Sequence, residues 1–329
     1  MMNKTILVIG GAGYIGSHMV KTLLAAGYQV VIFDNLTTGY RDAVVGGDFV
    51  FGDLADRTGL DNVFRRYRID GVMHFASFIE VAESVRDPNK YYQNNVAATL
   101  NLFEAMVAHE VKVCIFSSSA AIFGEPHYSP LDEQHPKQPI NPYGLSKWIV
   151  EQMLADYDCA YGLKSICLRY FNAAGADPEG QLGERHYPET HLIPLVLQAA
   201  NQRRQQITIF GEHYDTADGT CIRDYIHITD LCQAHLLALE QLCAGAPSAV
   251  YNLGNGSGFS VKEVIEVAKK VTQRHIPVVL GKPRLGDPAR LVADAQKAQQ
   301  LLGWQPQYND LETIIRHAWQ WEQYSHPND

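Results

Sequence analysis

The chain has 329 residues, 46% of them hydrophobic and 19% charged, which are globular values and exclude a disordered or low-complexity scaffold. Its formal net charge of -9 argues against nucleic acid or an anionic membrane as a partner, because both repel an acidic surface. This length exceeds a single comfortable core, so two lobes with a cleft between them are expected.

In chain order, the run 5–9 is a short apolar strand. It is too short for a signal-peptide core, and no stretch is long enough to cross a bilayer, so a cytoplasmic protein is expected. Gly10, Gly13 and Gly16 follow at once and open a helix over 14–26. Missing side chains there let backbone N–H groups and the helix dipole approach a pyrophosphate, although a tight turn alone would also use glycine. Asp34 closes the strand 29–33, just before Asn35. A carboxylate at that place takes the adenosine ribose hydroxyls and repels a 2′-phosphate, so NAD is preferred over NADP; the competing reading is a turn aspartate. Asp53, beyond the strand 48–51, either reaches the adenine or is a strand-end turn.

A helix over 60–67, a strand over 71–75, a helix over 91–109, a strand over 111–117, a helix over 143–157 and a strand over 165–170 continue the alternation. Such a pattern predicts an α/β fold, a doubly wound parallel sheet of the Rossmann type, spanning 1–175. Beyond Gly175 the pattern loosens, with helices over 261–272 and 311–323, into a smaller mixed α/β substrate-binding lobe over 176–329. The stretch 225–245 is free to pack back onto the first domain. Cys114, Cys159, Cys167, Cys221, Cys232 and Cys243 form no C-x-x-C pair and no metal spacing; they read as reduced thiols, and no metal is expected.

Chemistry enters at Ser117-Ser118-Ser119, which ends a strand, and at Tyr143 and Lys147. Asn141 can cap a helix whose first position suits Pro142, so the i, i+4 spacing puts phenol and ammonium on one face. A phenol titrates at about 10 unless a neighbouring cation favours its phenolate. A Tyr-x-x-x-Lys pair or a serine triplet alone means little. Together with the glycine motif they read as a catalytic set: Ser119 orients a substrate hydroxyl, Tyr143 moves its proton, and Lys147 holds the phenol and the nicotinamide ribose.

These residues resemble the extended short-chain dehydrogenase/reductase group, and within it the UDP-glucose (UDP-galactose) 4-epimerases. The likeness runs almost end to end. It includes Gly10-Gly11-Ala12-Gly13-Tyr14-Ile15-Gly16, Phe33-Asp34-Asn35, His74-Phe75-Ala76, Tyr91-Tyr92-Gln93-Asn94-Asn95, Ser117-Ser118-Ser119-Ala120 and Asn141-Pro142-Tyr143-Gly144. Further along it includes Arg169-Tyr170-Phe171-Asn172, the run from Asp218 to His227, Tyr251-Asn252-Leu253-Gly254 and Gly286-Asp287-Pro288-Ala289. The second-lobe matches are the specific ones.

The resemblance implies that Tyr14, Ile15, Asn35, Leu54, Phe75, Ala76, Asn94 and Tyr170 join the glycines, Asp34, Asp53, Ser119, Tyr143 and Lys147 around NAD. It implies a UDP-hexose site in which Ser119, Tyr143, Phe171 and Asn172 meet the sugar, and His191 and Leu192 also contact the substrate. Arg223 and Arg284 grip the pyrophosphate, Asp287 meets the uridine ribose, and Phe210 meets the uracil. Leu291 takes the position of a gate beside the sugar C2 substituent, or is simply a core leucine. Pairing of the helices near 91–109 and 143–157 across a twofold axis implies a homodimer.

Three positions depart from the family. Ile79 replaces a lysine that some members carry near the nicotinamide. His191 replaces an asparagine, and either residue can donate a hydrogen bond. Ile122-Phe123-Gly124 replaces a tyrosine-containing segment and reads as packing. The expected reaction interconverts UDP-galactose and UDP-glucose through a 4-keto sugar, with weak activity on UDP-N-acetylhexosamines. One rival is a nucleotide-sugar 4,6-dehydratase, disfavoured because Ala120 and Ala121 replace the acid and base that elimination needs. The other is a non-catalytic NAD-binding module on the same fold.

Overall fold

Six apolar runs become β1 (Thr5–Ile9), β2 (Gln29–Asp34), β3 (Asp48–Phe51), β4 (Gly71–His74), β5 (Val113–Ser119) and β6 (Lys164–Tyr170). The computed structural model describes residues 4–284 and 287–325; Gly286 of the Gly-Asp-Pro-Ala run lies outside them. Among the described residues, these strands and a seventh, Ala249–Leu253, form one sheet with the seventh strand at one edge, then β6, β5, β4, β1, β2 and β3. Every pairing in it is parallel. After β3 the chain crosses back to β4 on the other side of β1, so a crevice opens beyond the carboxyl ends of β1 and β4, the usual ligand position in such sheets.

The helices are α1 (Tyr14–Ala25), α2 (Arg57–Arg66), α3 (Val81–Arg86), α4 (Pro88–Tyr91), α5 (Ala98–Ala108), α6 (Pro142–Tyr161), α7 (Leu192–Ala200), α8 (Ile228–Cys243), α9 (Val261–Thr272) and α10 (Leu311–Ser325). One core layer packs α1 and α8 on the sheet, with Met19, Leu23, Leu231 and Leu239 buried against Ile6, Val8 and Ile166. The opposite layer packs α2, α5 and α6 through Leu60, Phe64, Leu102, Phe103 and Leu154. Thus 225–253 supplies both a helix and an edge strand to the first sheet. A third core joins α7, α9 and α10 through Val196, Ile265 and Ile315.

Three boundaries move for identifiable reasons. The helix expected from 91 starts at Pro88, because Asp87 accepts from the Lys90 N–H at 3.2 Å and Pro88 suits the first helical position. Between α4 and α5 the backbone makes a π-turn over Tyr92–Ala97. The strand expected from 111 starts two residues later. Glu110 adopts a positive φ of 58° and the Val111 N–H bonds back to the Met106 carbonyl at 2.8 Å, which commits Val111 to ending α5. The serines extend the strand instead, since Ser117 and Ser119 stand in register with Leu168 and Tyr170; pairing overrides their low strand preference.

Candidate active site

The loops after β1 and β4 meet at Gly10. It has φ +79°, and a Cβ there would lie 2.6 Å from the Ala76 nitrogen, while one on Gly16 would lie 2.1 Å from the Gly10 carbonyl oxygen. Only glycine permits this approach. Gly13 caps α1 with no side-chain hydrogen bond, and the first turn carries no acid. The N–H groups around Tyr14 and Ile15 therefore form an anion cradle at a helix N-terminus. By contrast α2, α6 and α9 are each capped by a side chain.

Asp34 is buried at the end of β2, where its two oxygens accept from the Ala12 N–H at 2.9 Å and the Leu36 N–H at 2.7 Å. Its carboxylate is thereby fixed beside the glycine loop. The Asn35 amide donates to Asp53 at 2.7 Å, and Asp53 also accepts from the Ala55 N–H at 2.8 Å. Buried Leu54 offers its carbonyl to Asn101 at 3.0 Å. A donor-lined cradle without Cβ atoms, followed by a fixed carboxylate, fits NAD; Gly10, Gly13, Gly16 and Asp34 would hold it.

Tyr143 stands in the first turn of α6. That turn is placed by Asn141, whose side chain accepts from the Gly144 N–H at 2.8 Å, and by Pro142. Ser119 accepts from the Ala121 N–H at 3.1 Å and lies against the phenol. One turn along, Lys147 is 4% exposed and donates to the Ser117 carbonyl at 2.8 Å. Burial pushes the Lys147 ammonium down to about 7, opposed by the charge of Glu151. The phenol of Tyr143 is raised, first by burial and also by Glu80, with the Ser119 hydroxyl pulling it back. This geometry does not give the lowering expected from a neighbouring cation: burial is the largest influence on the phenol, and the side chains that act on it are Ser119 and Glu80. Tyr170 bonds Ser117 through its hydroxyl.

The substrate-side residues gather where β6 continues beyond the sheet. Phe171 packs against a small core of Ile122, Phe123 and Leu131, so that segment does serve packing. The Asn172 amide donates to the Asp224 carbonyl at 2.8 Å, and the strand Asn172–Ala174 pairs with Tyr225–His227. Arg290 and Leu291 pair with Ile222 and Arg223, which sets Leu291 opposite Arg223. Arg223 forms an ion pair with Asp287 and also donates to the Pro288 carbonyl at 2.8 Å. Phe210 pairs in register with Gly281, and the Arg284 guanidinium lies 4.0 Å above its ring. His191 precedes Leu192 at the start of α7. Its Nδ1 lies 2.8 Å from Glu184 and 3.1 Å from Glu189; burial opposes its charge, but these carboxylates prevail and raise its pKa well above the usual value.

Two groups of residues escape a reading by spacing. Asn95, in the π-turn, donates to the Phe78 carbonyl at 3.0 Å and to Ser146 at 3.1 Å, and accepts from the Phe78 N–H at 3.0 Å. It ties the segment holding Ile79 to α6. Glu151 accepts from Ser118 at 2.5 Å and pairs with Arg169 at 2.5 Å, both charged side chains being 3% exposed. Their signal was the Arg169 of the quoted motif, which has no partner until the fold supplies one.

An anion cradle after β1 and a Ser, Tyr, Lys set at the end of β5 and the start of α6, on the same end of one parallel sheet, are the layout of an enzyme that oxidises an alcohol carbon with a nicotinamide dinucleotide. The chain belongs to the NAD dependent epimerase/dehydratase family, whose model matches residues 6–254. A UDP-glucose 4-epimerase of Halalkalibacterium halodurans is 52% identical over 323 residues, 98% of this chain and 96% of that protein. A crystal structure of a UDP-glucose 4-epimerase is similar at a TM-score of 0.97 and 50% identity, with 99% of each chain covered. The Brucella ovis UDP-glucose 4-epimerase in complex with NAD gives a TM-score of 0.94 at 48% identity, covering 96% of this chain and 97% of that one.

Proposed function

We propose that the protein interconverts UDP-galactose and UDP-glucose by transient oxidation at C4 of the hexose. The observation that carries this reading is Tyr143, whose phenol meets the Ser119 hydroxyl one helical turn from Lys147. Bound NAD supplies the hydride acceptor for C4 and then the hydride donor. Tyr143 takes the proton of the 4-hydroxyl and returns it once the sugar has presented its other face. Ser119 holds the reacting oxygen, and Lys147 anchors the crevice wall through the Ser117 carbonyl. Ala120 and Ala121 offer neither acid nor base, so water is not eliminated from the intermediate as a dehydratase would require. The intact Ser, Tyr, Lys set stands against a non-catalytic module. The test uses UDP-galactose deuterated at C4, without added cofactor. The label is expected to stay on C4 of the product, and its complete loss to solvent overturns the mechanism.

The UDP moiety is held by the second lobe. An acidic protein needs local guanidinium groups to bind a dianion, and Arg223 and Arg284 are the candidates, with Asp287 for the ribose and Phe210 for the base. Arg284→Ala is expected to raise KM with kcat less affected, since a pyrophosphate contact is made equally in ground and transition states. Unchanged affinity for UDP in both Arg284→Ala and Arg223→Ala places the pyrophosphate elsewhere.

Leucine at 291 is intermediate in size, which fits plain hexoses as principal substrates and weak activity on UDP-N-acetylglucosamine. Leu291→Tyr should then abolish the N-acetyl activity while sparing UDP-galactose. Parallel losses on both substrates would make 291 a packing position. The protein is further proposed to be a cytoplasmic homodimer, joined through α5 and α6, where Leu100 is exposed. Sedimentation equilibrium at micromolar concentration should give twice the chain mass, and a monomer refutes the dimer.

A further inference from the structure

The segment 183–191 touches four separate parts of the molecule. Arg185 pairs with Asp42 and lies 4.0 Å over the Tyr40 ring. The Thr190 hydroxyl donates to Glu80 at 2.9 Å, and the Glu184 carbonyl accepts from the Trp321 indole at 3.2 Å. His191 leads into α7. The Tyr14 ring, beside the glycine cradle, stands edge-on to His186 with centroids 6.4 Å apart.

Inside this segment Glu184, His186, Glu189 and His191 each bring one ligand atom, all within 4.8 Å of one another. The His191 Nδ1 lies 2.8 Å from Glu184 Oε1 and 3.1 Å from Glu189 Oε1. The His186 Nδ1 lies 3.2 Å from Glu184 Oε1 and 3.7 Å from Glu189 Oε2. Four atoms held ~2.0–2.1 Å from a tetrahedral zinc ion stand roughly 3.3–3.4 Å apart; the His-to-carboxylate separations, which draw on both oxygens of Glu189, fall on either side of that value, and the remaining ones stay within 4.8 Å. The His186 Nδ1 is also buried and makes no well-formed hydrogen bond. Cysteine spacing says nothing about this cluster, which contains no thiol.

We propose that Glu184, His186, Glu189 and His191 form a site for a divalent transition-metal ion, zinc above all, that fastens the 183–191 segment beside the cofactor cradle. Two imidazoles with two carboxylates suit zinc better than magnesium or calcium, which prefer oxygen donors throughout. The two carboxylates balance the charge of the ion, and the imidazoles bind as neutral ligands, releasing any protons they carry. Four protein ligands leave no open position, so the ion is structural and the proposed epimerisation does not pass through it.

The test takes the full chain with its own cofactor, dialyses it against a chelator, and titrates it with zinc or cobalt ions. Wild type is expected to bind one equivalent, to gain thermal stability that grows with ion concentration, and to show the intense visible bands of tetrahedral cobalt. His186→Ala and Glu189→Gln should each lose both the bands and the stabilisation. If one variant fails to fold, the other and the wild-type spectrum still decide. Failure of the wild type to bind cobalt at micromolar concentration overturns the proposal. So does retention of the bands by a folded variant, since the ion would then sit elsewhere.

Discussion

Tyr143→Phe is expected to lower the rate of the chemical step by about 10²- to 10⁴-fold, the usual worth of a positioned proton-transfer group, while the fold and bound cofactor persist. The substitution removes one oxygen. The start of α6 is set by the Asn141 cap and Pro142, neither of which depends on that oxygen, and the anion cradle lies on other elements. Because burial and Glu80 raise the phenol in this structure, neutral Tyr143 is the resting form, and the Ser119 hydroxyl is the protein group that opposes the shift. Single-turnover kinetics, with circular dichroism as the control for folding, measure the effect. Near-normal turnover would remove Tyr143 from its proposed role.

Arg169→Met is expected to destabilise the protein by about 3–5 kcal/mol, the cost of leaving a buried charge without its partner. Glu151 would keep only its bond from Ser118 at 2.5 Å, in surroundings where its side chain is 3% exposed. Removing both charges in Arg169→Met/Glu151→Met should recover most of the loss, because a buried ion pair contributes little over apolar groups of similar volume. Urea unfolding of the two variants separates these outcomes; equal losses in the single and double variants would mean that packing, not charge, is at stake. The same carboxylate sustains the charge of Lys147, so α6 carries its chemistry and its anchorage on neighbouring turns.

The sheet was legible because its strands are apolar on both faces and alternate with helices of matching length: β1 and α9 fall within the very bounds that the pattern predicts. Asn141-Pro142 marked the start of α6 by local chemistry alone. Asp87-Pro88 carried the same signal, although the helix was expected only from Tyr91. The contacts that build the site are of another kind. Glu151 meets Arg169, Asn95 meets Phe78, and Leu291 comes opposite Arg223 only through pairing and packing between segments far apart in the chain. The carboxylates around His191 were hidden for a further reason: Glu184 and Glu189 stand five residues apart in a segment of no regular structure, so no periodicity sets them apart.

β6 does not stop at the edge of its sheet. After Tyr170 and Phe171 the same chain forms Asn172–Ala174, which is paired to Tyr225–His227, and Arg223 with its neighbour Ile222 is paired in turn to Arg290 and Leu291. A continuous backbone ruler therefore runs from the strand beside Ser119 to the proposed grip on the nucleotide. Its length is set by strand spacing and not by side-chain rotamers. A substrate gripped there as proposed would be presented to Tyr143 at a fixed reach, whichever way its hexose faces. The turn of the sugar would then occur in the bonds that join the hexose to its nucleotide, with only the nucleotide end held still.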